Sequence, residues 1–206
     1  MKLTTVTHVS VDGVMQGLGG SDEDRSGGFE RGGWALPLLD DEGGRIVGEI
    51  FQRAGAFLFG RWTYDVFAGY WGLMRDPDNP IASALNTRPK FVASTTLSDP
   101  QWADTTVLSG DVAAAIGELK AKPGGELQVH GSGELVRWLF ANRLVDEITL
   151  LTYPVVVGQG TRLFPDTGLD MALDLIDSRT TGNGVTIQVY RVTGRPEYAG
   201  GTVDQL

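Results

Sequence analysis

Leu127-Gln128-Val129-His130 is a short apolar run, Gly131-Ser132-Gly133 interrupts it, and Leu135, Val136, Leu139 and Phe140 then recur at helical spacing. An apolar run, a glycine break and a period near 3.6 make a strand–turn–helix unit. The unit repeats upstream. Ala56-Phe57-Leu58-Phe59 reads as a strand, and Gly60-Arg61-Trp62-Thr63-Tyr64 turns from it toward a second helix. At both junctions glycine permits a close backbone turn, and the helix start offers unpaired N–H groups suited to phosphate oxygens. Arg61 adds a cation, Thr63 a hydroxyl, and Ser132 stands where an N-cap belongs. Either turn alone reads more readily as plain backbone geometry, but two in one small sheet point toward an extended, diphosphate-bearing ligand. Neither completes a G-x-G-x-x-G fingerprint, because Val136 occupies the sixth position from Gly131, and there is no Walker A motif.

Working outward, residues 3–11 are rich in β-branched types and predict a strand. Ile46, Val47, Ile50, Phe51 and Ala54 share one helix face. A helix is expected around Ile81–Leu85, a strand at Lys90–Ser94, and a helix at Val112–Ala121 capped by Asp111 and stopped by Pro123-Gly124-Gly125. Asp146–Thr152 predicts a strand covered on both faces. Ala172–Ser178 and Val185–Thr193 flank Thr-Thr-Gly-Asn-Gly, a hairpin pattern. The expectation is therefore an α/β, three-layer domain over residues 1–195. It has a mixed, mostly parallel central sheet, helices on both faces and a C-terminal antiparallel hairpin, followed by a tail at 196–206.

Composition narrows the function. The 206 residues carry a formal net charge of −9, which argues against a nucleic-acid partner. There is no cysteine, which removes disulfides, thiol nucleophiles and Cys-ligated metals. Nor is there a run of apolar residues long enough for a membrane span or a signal peptide, so a cytoplasmic protein is expected. Glycine is in excess, 29 residues, and eight of them fall in the aperiodic stretch Asp12–Gly33. Met15, Phe29 and Trp34 in or beside that stretch suggest a loop that folds back on something.

Candidate chemistry lies at strand ends. Asp12-Gly13 places a carboxylate at the rim where open α/β sheets bind ligands, or simply forms a turn. Ser94-Thr95 follows a strand end and offers hydroxyls. His130, beside a glycine turn, is a better functional candidate than His8, which reads as a hydrogen-bonded core residue. The acidic run Ser21-Asp22-Glu23-Asp24 lacks calcium-loop spacing, and no metal site is expected.

These segments also occur in a recognisable order. Val9-Ser10-Val11-Asp12-Gly13-Val14 is followed by Phe59-Gly60-Arg61-Trp62-Thr63-Tyr64 and then Lys90-Phe91-Val92-Ala93-Ser94-Thr95-Thr96-Leu97. Gln128–Gly133, Leu144-Val145-Asp146-Glu147 and Pro154–Phe164 complete the set. Over roughly residues 3–193 the chain resembles the dihydrofolate-reductase-like superfamily. Within it, the resemblance is to stand-alone bacterial proteins similar to the C-terminal reductase domain of the riboflavin-biosynthesis deaminase/reductase. That resemblance implies an NADPH-dependent reductase, commonly a homodimer, acting on a pyrimidine- or pteridine-like small molecule. It implies cofactor contacts from Gly60, Arg61, Thr63, Tyr64, Ser94, Thr95, Gly131, Ser132, Gly133, Glu134 and Val155, often with a cis peptide at the second glycine turn. Preference for NADPH would then rest on Arg61 and the Arg88/Lys90 pair, which could meet a 2′-phosphate. The long glycine loop, with Gly27-Gly28-Phe29-Glu30 and Gly32-Gly33-Trp34, resembles that of the stand-alone relatives and is expected to lid the substrate pocket. Asp12 would handle the substrate or a proton, and Gly13, Trp34 and His130 would face the substrate. Two positions depart from the pattern. His130 stands where the riboflavin reductases commonly carry glutamate, and Gly44 where dihydrofolate reductases carry a helical acid. They motivate an alternative, a noncatalytic dimeric nucleotide-binding protein.

Overall fold

The computed structural model describes residues 1–200. One sheet organises it. Its parallel strands are β1 (Lys2–Ser10), β2 (Ala54–Gly60), β3 (Lys90–Ala93), β4 (Thr105–Leu108), β5 (Glu126–Val129) and β6 (Glu147–Tyr153). The hairpin β7 (Ala172–Thr180) and β8 (Thr186–Gly194) joins antiparallel to β6, giving the order β4-β3-β2-β5-β1-β6-β8-β7. The α/β class, the mostly parallel sheet and the C-terminal hairpin are as the sequence leads one to expect. The tail anticipated at 196–206 lies, from residue 201 on, outside the described residues.

Alternation along each strand sorts the core into two layers. Ala56 and Leu58 face α4 (Val112–Ala121) and α5 (Gly133–Ala141), where Ile116, Leu119, Leu135, Val136 and Leu139 are buried. Phe57 and Phe59 face the opposite side and pack on α1 (Asp41–Gln52), α2 (Arg61–Tyr70) and α3 (Pro80–Thr87) through Phe51, Tyr64, Ala84 and Leu85. Val6, Leu151, Tyr153 and Ile187 extend that second layer under Ile46 and Ile50 of α1.

Sequence reading missed β4. Its four residues, Thr105-Thr106-Val107-Leu108, include only two apolar side chains, and as an edge strand it is half-exposed, so no alternation marks it. Lys90 and Arg88 correct another expectation. Both lie at the N-terminal end of β3, on the edge opposite the helix starts that follow β2 and β5. Lys90 is fully buried, its ammonium donating to the carbonyls of Leu85 (2.9 Å) and Arg88 (2.8 Å) at the end of α3 and lying over the Trp102 ring. The Arg88 guanidinium is bonded to the carbonyls of Phe51 and Gln52. Both cations close the ends of helices and cannot meet a ligand phosphate.

Candidate functional site at the carboxyl edge of the sheet

The parallel strands all end on one edge, and β2 and β5 are neighbours there. The chain leaving β5 stays beside β2, with the Gly60 N–H donating to the Gly131 carbonyl at 3.1 Å. It parts from β1, however. The β1–β5 pairing runs only from Lys2–Glu126 to Thr5–Val129, whereas β1 continues to Ser10 against β6. A cleft therefore opens between β1 and β5 at the carboxyl edge, the kind of position where open α/β sheets bind ligands.

The two glycine turns interlock at one side of this cleft. A Cβ on Gly60 would collide with the Ser132 hydroxyl and lie 3.0 Å from the Ser132 nitrogen. Gly131 has φ +134°, and a Cβ there would sit 2.7 Å from Thr63 Oγ1. The Gly131–Ser132 peptide is cis. Ser132 occupies the N-cap position of α5 yet makes no side-chain capping bond, contrary to the expectation, and Gly60, the N-cap of α2, has no side chain to offer. The other three α-helices among the described residues are capped by side chains, from Asp40, Asn79 and Asp111. Two adjacent helix starts thus keep their first-turn N–H groups free of side-chain acceptors, with their dipoles directed at one place. Arg61 stands at this edge, paired to Asp65 at 2.7 Å. Ser94 and Thr95 follow the end of β3, where the Ser94 hydroxyl accepts from the Thr96 and Leu97 N–H groups. Glu134 is exposed in the first turn of α5. Tyr64 does not reach the edge. It is 4 % exposed, packed in the α2 core, and its hydroxyl accepts from the Trp102 N–H.

Asp12 is placed differently from its anticipated role in proton handling. Its carboxylate accepts from the Ser10 hydroxyl (2.6 Å) and from the backbone N–H groups of Val157 (2.9 Å) and Gly158 (2.8 Å). These bonds hold its pKa down at about 2, the Ser10 hydroxyl contributing most. An acid so stabilised as the anion is poorly suited to donating a proton near neutrality. It clamps the segment after β6 to the segment after β1, and the Arg162 guanidinium, bonded to the Asp12 carbonyl at 2.9 Å, reinforces the clamp. Gly13 is a turn residue with φ +79°, its N–H given to Ser10 and its carbonyl taken by Leu163.

The lid expectation has a structural counterpart. Phe29 is buried with Val14 and Val157, the Gly33 N–H reaches the Gly17 carbonyl at 2.7 Å, and the Trp34 indole donates to the Gln16 carbonyl at 2.8 Å. Trp34 packs edge-on against Tyr153, with ring centroids 5.5 Å apart, and Val155 lies beside it. Met15 was missed as a site residue. Its terminal methyl lies where a Cβ on Gly133 would be, so it covers the start of α5.

At the bottom of the cleft the two histidines lie on one face of the sheet, where Thr4 of β1 pairs with Gln128 of β5. His8 Nδ1 is 2.9 Å from the Tyr153 hydroxyl, so the core reading of His8 holds as to its bond but not as to its position. His130 stacks on Phe51 at 4.2 Å and its Nε2 meets Gln128 Oε1 at 3.1 Å. Burial lowers the pKa of His8 to about 4 and that of His130 to about 3, and raises that of Tyr153 to about 12, so all three are uncharged at neutral pH. The involvement of Tyr153 and Gln128 was not legible in the sequence, where both look like ordinary strand residues. Among the described residues no cluster of metal-ligating side chains occurs, and no helix is long and apolar enough to cross a membrane.

The fold is that of the dihydrofolate-reductase-like proteins. The RibD C-terminal domain model matches residues 1–187, and the chain belongs to that family. A curated relative, the uncharacterized protein YyaP of Bacillus subtilis (strain 168), is 25 % identical over 188 residues, covering 90 % of this chain and 92 % of its own. A crystal structure of a Shewanella sp. PV-4 protein named for riboflavin biosynthesis superposes with a TM-score of 0.66 at 22 % identity, over 94 % of this chain and 99 % of that one. A pyrimidine reductase-like protein from Corynebacterium diphtheriae gives 0.61 at 15 % identity, over 93 % and 92 %.

Proposed function

We propose that the chain is an NADPH-dependent reductase of a pyrimidine- or pteridine-like small molecule, similar to 5-amino-6-(5-phosphoribosylamino)uracil reductase of riboflavin biosynthesis, and acting in the cytoplasm. The observation that carries this is the pair of helix starts without side-chain caps, α2 and α5, set side by side against the cleft between β1 and β5. When bound, the dinucleotide supplies the hydride. Gly60, Arg61, Thr63 and the Gly131–Glu134 turn would hold its phosphates, Ser94 and Thr95 its adenosine end, and Val155 would border the ring end. Arg61 is the one of the three anticipated cations that stands at this edge, and so the one able to meet a 2′-phosphate. Asp12 keeps the 154–160 segment in place, while Trp34 and the loop around it wall the cleft from water.

Titration with NADPH, followed by tryptophan fluorescence, is expected to saturate below about 1 mM. A flat response overturns the reading. The second reading, a dinucleotide-binding protein without turnover, is favoured by one observation: the rim carboxylate Asp12 is locked as an anion by three hydrogen bonds. Loss of the reduced-nicotinamide absorbance with a pyrimidine or pteridine substrate supports the enzyme, and saturable binding without loss supports the binder. A homodimer is part of the proposal. The edge strand β7 leaves Leu175 (55 % exposed) and Ile176 (44 %) uncovered beside an unpaired strand edge. Light scattering at twice the chain mass is the expected result.

A further inference from the structure

We propose that His130 and His8 form a donor–acceptor pair that reads the amide edge, N–H beside C=O, of an uncharged planar ring, with Gln128 and Tyr153 as the positioning residues that set their tautomers. The proposal rests on the reductase reading for the identity of the cleft and names the class of substrate that the cleft takes.

The tautomer of His130 follows from its neighbours. Gln128 donates twice through Nε2, to the Ile50 carbonyl at 2.7 Å and to Glu126 Oε2 at 2.7 Å, which identifies the nitrogen and the oxygen of its amide. Its Oε1 can only accept, so the His130 nitrogen 3.1 Å away, Nε2, carries the proton. A neutral imidazole has one N–H, so Nδ1 is left with a bare lone pair. His8 is set in the opposite sense. A phenol is a stronger acid than a neutral imidazole N–H, so Tyr153 donates to His8 Nδ1 and the His8 proton resides on Nε2. Among the described residues neither His130 Nδ1 nor His8 Nε2 has a hydrogen-bond partner, and neither is among the buried polar atoms sealed from solvent. One acceptor and one donor are therefore free at the place where β1 and β5 part.

The surroundings favour an uncharged, flat occupant. Phe51 stacks on His130, Phe67 lies 6.3 Å from it, and Trp34 stands edge-on to Tyr153. The carboxylates around the site are engaged elsewhere. Glu126 pairs with Arg53 at 3.0 Å at the start of β5, Asp40 caps α1 and takes the Asn183 N–H, and Asp12 clamps Val157 and Gly158. Gly44 of α1 contributes no side chain, and a Cβ there would meet nothing within 4 Å. A cationic ring entering this cleft would lose its hydration, and the Asp40 charge that reaches Tyr153 is already held by the N–H groups of Gly43 and Asn183. A neutral ring with an amide edge would satisfy both imidazoles, and an analogue lacking the N–H would leave His130 Nδ1 unpaired.

The test uses the full chain and three probes by calorimetry: quinazolin-4(3H)-one, its 3-methyl derivative, and 2,4-diaminoquinazoline, which is cationic near neutral pH. The quinazolinone is expected to bind at least about tenfold more tightly than either of the others. His130→Glu, which introduces a carboxylate, should reverse the order between the quinazolinone and the diamine. A preference of the wild-type protein for the cation, or indifference to N-methylation, overturns the proposal, as does an unchanged order in the variant. Nitrogen-15 histidine spectra of the wild-type protein supply a readout that needs no variant, with His130 expected as the Nε2–H tautomer. An Nδ1–H tautomer overturns the assignment. Gln128→Leu should mix the two tautomers, and a spectrum that remains purely Nε2–H removes Gln128 from its positioning role. If the quinazolinone shows this preference while NADPH does not bind, the reductase reading fails and the amide-edge assignment stands. If NADPH binds and the cation is preferred, the reverse holds.

Discussion

Helices α4 and α5 follow one another on the same face of the sheet, yet they begin in opposite ways. Asp111 accepts from the Ala114 N–H at 3.0 Å, so the start of α4 is closed by its own cap. At α5 the residue in the same position, Ser132, has a side chain able to cap and does not do so. Its hydroxyl is turned toward Gly60 at the start of α2, the other α-helix among the described residues without a side-chain cap. Where a helix start serves only the fold, its N–H groups are satisfied within the chain. Where two starts meet at the cleft, they are left available for an anion.

The harshest way to break this contrast is to fill the junction. Gly60→Val would drive side-chain atoms into Ser132 and separate the two turns. Binding of NADPH should fall by more than about a hundredfold, with about 2–3 kcal/mol lost from stability as overpacking is relieved by backbone shifts. Calorimetry and urea unfolding measure the two. Gly44→Ala is the matched control, because a Cβ there meets nothing and α1 should gain about 1 kcal/mol from helix propensity.

A gentler exchange makes each helix start resemble the other. Ser132→Asp would supply a cap and a negative charge to α5, raising stability by about 0.5–1 kcal/mol while weakening NADPH about tenfold. Asp111→Ala should do the converse, losing about 1 kcal/mol of stability and leaving NADPH affinity unchanged. If both variants moved stability alone, the two starts would be equivalent and the site would not lie at α5.

The two edges of the sheet allow the same comparison with cations. Arg61→Ala should reduce the preference for NADPH over NADH several-fold, as expected for one exposed charge near a phosphate. Lys90→Met should leave that preference untouched and register only in thermal unfolding, since Lys90 is bonded to the end of α3.

Much of the fold could be read from local pattern. The strand–turn–helix units at Phe59–Tyr64 and Val129–Phe140 and the hairpin around Gly182–Gly184 rest on short-range rules of alternation, helical spacing and turn chemistry. The strand β4 escaped because a four-residue edge strand with two threonines and no clear alternation obeys none of them. Site residues divided along a different line. Gly60 and Gly131 could be found because a glycine at a βα turn has a backbone reason visible in one dimension. Lys90 and Arg88 were misplaced because sequence position does not reveal which end of a strand faces the ligand edge. Tyr153 and Gln128 carried no signal at all. Tyr153 meets His8 only because β1 runs beside β6, which brings two residues 145 positions apart into hydrogen-bonding range. Gln128 matters through its bonds to the Ile50 carbonyl and to His130, which depend on α1 lying over β5.

Asp12 offers the smallest and most exacting comparison, between a carboxylate that holds a segment in place and the histidines that line the cleft beside it. Its folded-state pKa lies near 2, below the ordinary value of 3.8, so the stability it contributes is fully present above about pH 4 and is lost as pH falls toward 2. With allowance for solvent screening that contribution is about 1 kcal/mol. His8 and His130 act at higher pH. Their folded-state values of about 4 and about 3 lie below the ordinary 6.5, so the unfolded chain takes up protons first and stability begins to fall below about pH 6.5. The wild-type acid curve is therefore dominated by the histidines, and the carboxylate emerges only in a difference. Urea unfolding of wild type and Asp12→Asn across pH 2–7 should show a gap of about 1 kcal/mol that is constant down to about pH 4 and closes near pH 2. A gap that instead widened as pH fell from 7 to 6 would mean that the folded-state pKa of Asp12 is raised toward neutrality, since the unfolded chain is already deprotonated there. The carboxylate would then be a protonatable member of the cleft, with a route to the substrate, and its role would return from clamp to acid.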